Sequence, residues 1–345
     1  MSPHFNQSQG DCLRALALIE AGDARVIDVP EPVRRSGDLL LKVEMVGLCG
    51  TDLNSFRGKN PLITYPRILG HEIAATVLEG DEEVPAGTRV TVSPYTSCGQ
   101  CPSCRRGREN ACRHNETFGV QRDGAIAEWL SIPASKVYPS ELPLKTLCLT
   151  EPLTVGFHAV SRGRVTGKDT VAIFGCGGIG LGAIAGAAFH GARTIAIDLD
   201  DAKLETARLA GATDLIHSSH EDVRERLREM TNGNGPDVMI EAIGLPETFR
   251  MAVEEVAFTG RVVYIGYAKE AVAYETRLFV QKELDIMGSR NALPKDFYEV
   301  MSMLEGGRFP VEAAVTSVVS LDEAPEMLAK WSANPAAFTK IMIQM

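Results

Sequence analysis

Hydrophobic and polar positions follow two different rhythms along this chain. Between residues 11 and 46, short apolar runs alternate with polar positions, as in Leu39-Leu40-Leu41-Lys42-Val43-Glu44-Met45-Val46, and PEP and SGD turns interrupt them. That is a strand-and-turn pattern, and further strands are predicted at 73–78 and 88–93. The first half therefore reads as a mostly β module, nearer to a barrel than to a helical bundle. Between residues 96 and 113 the periodicity disappears into a lobe rich in Cys, Gly and Arg. Beyond Glu151, helix-compatible runs alternate with short β-branched strands at 170–174, 193–198, 214–217, 237–242 and 261–266. Strands separated by helices predict βαβ units and a parallel sheet. After a strand at 284–288 the alternation stops, and a helix at 295–306 and a strand-like end at 339–343 follow. The tail is expected to rejoin the first module. No internal repeat or low-complexity segment interrupts the pattern.

Bulk properties narrow the class. A chain of 345 residues is too long for one ordinary core, which predicts two domains of roughly 150–200 residues. Hydrophobic content of 45% and charged content of 23% are those of a soluble globular protein. A net charge of −10 argues against nucleic acid or an anionic membrane as partner, because phosphate binding needs a basic face. No apolar run approaches the roughly 20 residues that span a bilayer. The opening MSPHFNQSQGD shows no basic segment followed by an apolar one, so no export signal is expected, and the cytoplasm is the expected compartment. Four of the eight cysteines crowd between positions 98 and 112, which reads as metal binding before disulfides.

Two stretches carry metal-binding chemistry. In GLCGTDLNSFRGKNPLITYPRILGHE, Cys49 precedes His71 by 22 residues, Glu72 stands beside the histidine, and Thr51 lies two residues after the cysteine. Thiolate, imidazole and carboxylate with one position left open is the donor set of a catalytic zinc. In the lobe, Cys98-x2-Cys101-x2-Cys104-x7-Cys112 supplies four thiolates, the closed set of a structural zinc. An iron–sulfur cluster is the competing reading, but its fourth cysteine would follow after three residues and precede a proline. Here the gap is seven and no proline follows Cys112.

A third stretch reads as a dinucleotide site. The strand at 170–174 runs into Gly175-Cys176-Gly177-Gly178-Ile179-Gly180 and then an alanine-rich helical run at 181–190. Gly175 permits a tight turn, Gly177 admits a pyrophosphate, and Gly180 lets helix and strand pack closely. The next strand ends in Asp198, 18 residues past Gly180, where a carboxylate accepts from both ribose hydroxyls and repels a 2′-phosphate. NAD is thus favoured over NADP; a helix N-cap is the alternative reading of Asp198. Leu199, Lys203, Ile243 and Gly266 are further candidate cofactor contacts.

CGTD, GHE, the four-cysteine lobe and the βαβ unit, in that order, resemble the zinc-dependent medium-chain alcohol and polyol dehydrogenases across essentially the whole chain. The resemblance implies an α/β architecture. A GroES-like, mostly β catalytic domain (1–154 and 290–345, with the lobe at 96–113) would carry an inserted Rossmann NAD-binding domain (155–289). It implies two zinc ions per chain, NAD, and a homodimer or homotetramer joined through residues 261–288. Thr150-Glu151-Pro152-Leu153 resembles the sorbitol-type and threonine-type branches, which carry a glutamate where simple alcohol dehydrogenases carry a ligand cysteine. Either Glu151 or Glu72 would then be the direct third ligand. Cys148 is offset from that position and reads as a small buried hydrophobe.

YPRILGHEI and Gly288-Ser-Arg290-Asn291-Ala-x-Pro-x-Asp-Phe resemble bacterial dehydrogenases of hexonates such as L-galactonate or L-gulonate. Arg290 and Asn291 become candidate substrate contacts, with a surface ion pair as the alternative for Arg290. Asn54 replaces the histidine that often passes the alcohol proton to solvent in the family, which leaves Thr51 as the proton relay. His114, His158, His190 and His217 read as helix or surface residues. The implied reaction is oxidation of a secondary hydroxyl to a ketone. The rivals are a threonine-type amino-alcohol dehydrogenase and a non-enzymatic NAD-binding structural protein.

Overall fold

A computed structural model describes residues 12–345; the expectation about an export signal in residues 1–11 lies outside them. The chain folds into two compact units. The first takes the residues up to Pro94, 116–148 and 317–345; the second takes 95–115 and 149–316. Among the described residues no helix is long and apolar enough to cross a membrane.

The first unit is organised around the strand Asp38–Leu48. Leu39, Leu41 and Val43 point into its core, as alternation requires. A one-residue shift then intervenes: Val43 faces Ala75, but Met45 faces Ala74, so Glu44 is the extra residue of a bulge. Because strand side chains repeat every second position, the bulge exchanges the faces, and Val46 and Leu48 become the buried pair. The strand delivers Cys49 at its end. Glu72–Glu79 pairs with it antiparallel, placing Gly47 opposite Glu72, and Ile341–Gln344 pairs on the other side, placing Ile341 opposite Leu48. Three segments far apart in sequence therefore converge at one strand end. The full sheet runs Ser317–Ser320, Ile341–Gln344, Asp38–Leu48, Glu72–Glu79, Arg89–Val92, Val137–Pro139, with Trp129–Pro133 also on the central strand. A smaller sheet of Asp23–Val29, Leu13–Glu20 and Arg67–Ile68 shares the apolar core, where Leu16 and Leu18 meet Leu39, Leu41 and Ile73.

The second unit holds a six-stranded parallel sheet in the order Asp214–His217, Arg193–Asp198, Thr170–Phe174, Val238–Glu241, Arg261–Tyr264, Asp285–Gly288. Val171, Ala172, Ile173 and Phe174 are all buried, the continuous apolar run expected of a strand covered on both faces. The connection order reverses between Thr170–Phe174 and Val238–Glu241, the place where open α/β sheets take their ligands. The helix Gly178–Phe189 begins there. Thr150–Arg162 packs on that helix, and Pro294–Glu305 packs on Thr150–Arg162. Residues 95–115, the cysteine lobe, belong to this unit because Asn110 bonds both His158 and the Arg290 carbonyl.

Candidate active site

The metal-type cluster of the first unit is built on the strand end just described. Cys49 caps the helix Gly50–Phe56, and Asp52, three positions on, accepts a hydrogen bond from the Cys49 N–H at 2.8 Å. That reciprocal cap fixes the turn carrying the thiol. Asp52 Oδ1 also stands 3.9 Å from His71 Nδ1. Burial pushes the Asp52 carboxyl up, and the neighbouring imidazole pulls it back. The Thr51 hydroxyl lies 3.9 Å from Cys49 Sγ. The donor atoms of Cys49, His71 and Glu72 lie within 4.8 Å of one another. Bonds of about 2.0–2.3 Å to a shared zinc put tetrahedral donors roughly 3.3–3.8 Å apart. That upper bound contains the range, and thiolate, imidazole and carboxylate are donor types the ion takes. Gly47 is needed here: a Cβ on it would stand 2.0 Å from Glu72 Oε2.

Glu72 has a partner that sequence reasoning did not anticipate. Lys340, one residue before the strand Ile341–Gln344, places its Nζ 2.6 Å from both Glu72 oxygens and donates to the Leu48 carbonyl at 3.3 Å. Both side chains are buried. Burial works against the Lys340 ammonium, but attraction to Glu72 and to Cys49 outweighs it and holds its pKa above the ordinary lysine range. Asp52 was likewise missed as a functional residue; its signal was its position in the CGTD motif. For Lys340 the only cue was a buried strand start. Cys148 is fully buried, as expected, with its thiol on the Glu72 carbonyl at 3.3 Å.

In the second unit the four lobe cysteines gather with their sulfurs within 4.8 Å. Cys101 Sγ is 3.5 Å from Cys104 Sγ and 3.8 Å from Cys112 Sγ. These are too long for disulfides, and they match the edge of about 3.8 Å that zinc–sulfur bonds of about 2.3 Å give a tetrahedron. Backbone N–H groups of Cys98, Cys101 and His114 donate to cluster sulfurs at 3.3–3.4 Å. The Ser103 hydroxyl draws the Cys101 thiol down to about 5, whereas burial pushes Cys104 up to about 11. Four sulfurs this close, one of them already acidic, suit a cation, and a zinc ion fits the donor set.

The glycine-rich turn lies at the switch point of the parallel sheet. Gly175 adopts φ +94°, and a Cβ on Gly180 would meet the Gly175 carbonyl oxygen at 1.8 Å, so both glycines are obligatory for this turn. Gly177 caps the helix that Gly178, Ile179 and Gly180 open. Asp198 ends its strand and reaches into the same turn, accepting from Cys176 N at 2.7 Å through one oxygen and from Leu199 N at 2.8 Å through the other. It is not a helix cap: Asp200 takes that role, accepting from Lys203 N at 3.0 Å. The loop after Val238–Glu241 is tied down by Glu241, whose Oε1 accepts from Ile243 N, Gly244 N and the Thr248 hydroxyl at 2.7–2.9 Å. Ile243 approaches Gly175, and Gly266 approaches Glu241 too closely for any side chain at 266.

Glu151 lies in the first turn of Thr150–Arg162, buried, with the Tyr95 hydroxyl donating to it. Two turns further along the same buried face stands His158, expected as a helix or surface residue. It is 2% exposed and lies between Asp296, at 2.8 Å from Nδ1, and Asn110, at 2.9 Å from Nε2. A carboxylate only accepts, so Nδ1 carries the proton and Nε2 accepts from the Asn110 amide. The same amide donates to the Arg290 carbonyl at 2.7 Å, and Asn291 Nδ2 returns a bond to the Asn110 carbonyl at 3.2 Å. Among the described residues Arg290 has no carboxylate partner, which removes the surface ion pair considered for it. Asn54 is exposed.

Known proteins share this two-part organisation. Residues 35–143 match the alcohol dehydrogenase GroES-like domain, and residues 178–306 match the zinc-binding dehydrogenase domain. The L-galactonate-5-dehydrogenase of Escherichia coli K12 is 33% identical over 83% of this chain and 85% of its own. The chain belongs to the zinc-dependent medium-chain dehydrogenases, in their polyol branch. Similar solved structures include one described as a short chain alcohol dehydrogenase of E. coli CFT073 complexed with NADH, 27% identical with a TM-score of 0.90, covering 97% of this chain and 100% of that one. A zinc-binding dehydrogenase of Sinorhizobium meliloti 1021, bound to NADP, is 31% identical with a TM-score of 0.90 over 97% and 100% of the two chains. The two-part fold expected from the sequence, GroES-like and parallel-sheet, is that of this family.

Proposed function

We propose that this dehydrogenase oxidises a secondary hydroxyl of a polyol or sugar acid to a ketone, reversibly, with NAD as hydride acceptor. The observation that carries the reading is the convergence of Cys49, His71 and Glu72 within 4.8 Å. A zinc ion held there would supply the Lewis acidity that lowers the pKa of a substrate hydroxyl. Lys340 Nζ stands 2.6 Å from both oxygens of Glu72, so Glu72 would meet a zinc ion in competition with that ammonium. The third ligand implied by the sequence, Glu151, belongs to the other unit, and its role is carried over from the sequence resemblance alone. Thr51, beside Cys49 Sγ, is the group that takes the departing proton and passes it to water, because the amide of Asn54 is no base near neutral pH. The cysteine lobe takes the second zinc, which is structural.

NAD rather than NADP is favoured by Asp198, a carboxylate at the place where a 2′-phosphate would otherwise sit. Pairing of two chains along the sheet edge Asp285–Gly288 is favoured by that strand's open side and by exposed Val280 and Ile286 on the same unit. We place the enzyme in the cytoplasm. The deciding experiment follows absorbance of reduced cofactor with zinc-loaded enzyme across hexonates, hexitols and L-threonine, with NAD and with NADP. Turnover of hexonates or hexitols with NAD is expected. Turnover of threonine alone would replace this reading with the amino-alcohol one.

A further inference from the structure

We propose that the substrate carries an anionic end group, and that Arg108 of the cysteine lobe grips it together with Arg290. The inference rests on the polyol or sugar-acid reading and sharpens it to the acidic members of that class.

Within the second unit a cavity of about 380 Å³ is lined by Arg108, Asn110, Tyr264, Tyr267, Ser289 and Arg290, among others. Two features distinguish it. The first is charge. Neither Arg108 nor Arg290 has a carboxylate partner among the described residues, in a chain with 45 acidic side chains against 35 basic ones. Elsewhere in this unit Arg164, Arg193, Arg224 and Arg261 each pair with an acid. A third guanidinium adds to the imbalance: Arg162 donates to the Gly288 carbonyl at 3.3 Å, with its pKa held down by burial and then by Arg108 and Arg164. Guanidiniums gathered in a concavity without counter-charge form a site for a carboxylate or phosphate, which they hold through paired N–H bonds.

The second feature is a set of waiting polar atoms. Ser289 Oγ and Asn110 Oδ1 are buried and make no hydrogen bond with any described residue. Buried polar atoms are almost always paired, and both belong to residues lining the cavity. One hydroxyl, able to donate and accept, and one amide oxygen, able only to accept, suit the hydroxyls of a polyol chain. An anionic head between two arginines and a hydroxylated body against Ser289 and Asn110 describe a sugar acid or a polyol phosphate. A neutral polyol would leave both guanidiniums without a counter-charge.

Arg108 also lies on the lobe whose Asn110 holds the Arg290 carbonyl, so the backbone segments that carry the two arginines are tied by one short hydrogen-bonded path. Of the two arginines, only Arg290 was expected from the sequence as a substrate contact, together with Asn291. Arg108 was not, since nothing in the cysteine spacing around it points to a substrate.

The test uses zinc-loaded holoenzyme with NAD and the variants R108Q, R108K and R290Q. Probes are L-galactonate, galactitol 1-phosphate and galactitol. R108Q is expected to lower kcat/KM ten- to a hundredfold on the anionic probe that wild type prefers, chiefly through KM, and less than twofold on galactitol. R108K should recover part of the loss. Equal loss on the charged and neutral probes, or no loss on either, overturns the proposal. The preferred probe decides between carboxylate and phosphate as the end group. Calorimetric binding of the same three probes separates this inference from the catalytic reading. If wild type turns over none of them yet binds an anionic probe at least tenfold more tightly than R108Q does, the anion site stands and the polyol oxidation falls. No binding, or equal binding by wild type and R108Q, removes the site.

Discussion

Lys340 Nζ sits 2.6 Å from both carboxylate oxygens of Glu72, and solvent reaches neither side chain to any extent. Removing one member of a buried pair strands the other charge, at a cost of about 3–5 kcal/mol. Lys340→Met is therefore expected to lower Tm by several degrees and to weaken zinc retention, and adding Glu72→Gln should restore part of the Tm. Unchanged thermal denaturation in the single variant would refute the pairing.

The same pair sets a pH dependence. The folded-state pKa of Lys340 is raised, so its contribution is fully present below the ordinary lysine range and is lost as pH rises through the folded value. Urea unfolding followed upward from about pH 9 through and beyond about pH 10.4 should show wild type losing stability above that point more steeply than K340M. Parallel curves for the two proteins would count against the assignment.

Asp198 accepts backbone N–H bonds from Cys176 and Leu199 at 2.7 and 2.8 Å, which holds its carboxylate at the glycine-rich turn. Asp198→Ala is expected to reduce kcat/KM with NAD about ten- to a hundredfold and to reduce it much less with NADP. The measured quantity is the NAD to NADP ratio. A ratio left as in wild type would mean that the discrimination lies elsewhere.

For the lobe, the sulfur separations of 3.5 and 3.8 Å lead to a count. Wild type should carry about two zinc ions per chain by atomic emission, and C104S/C112S about one. The variant's lobe should also become a site of proteolytic nicking between residues 98 and 112, since few apolar contacts would remain to hold it. Equal zinc content in both proteins would exclude the lobe as a metal site.

Much of this is legible in the amino-acid order alone. The switch from period-two strands to strand–helix alternation foretells the two sheets, and Cys49, His71 and the four lobe cysteines are readable because ligand types and spacing are local properties. What escapes are relations set by register and long-range pairing. The bulge at Glu44 exchanges the faces of Asp38–Leu48 without any glycine or proline to announce it. Lys340 meets Glu72 across 268 positions only because Ile341–Gln344 pairs with the central strand in one register. His158 reads only as a helix or surface histidine because its partners, Asn110 and Asp296, are 48 and 138 positions away. Arg108 gives no signal by itself; its meaning depends on what stands across the cavity.

The single amide of Asn110 ties the cysteine lobe to the Arg290 carbonyl and to His158. The lobe is thus a cassette with a fixed docking point. Exchanging it between relatives would carry a substrate preference along with it, while leaving Cys49, His71 and the glycine-rich turn untouched. Such a graft would keep its alignment only if the incoming lobe supplied an asparagine at the same place.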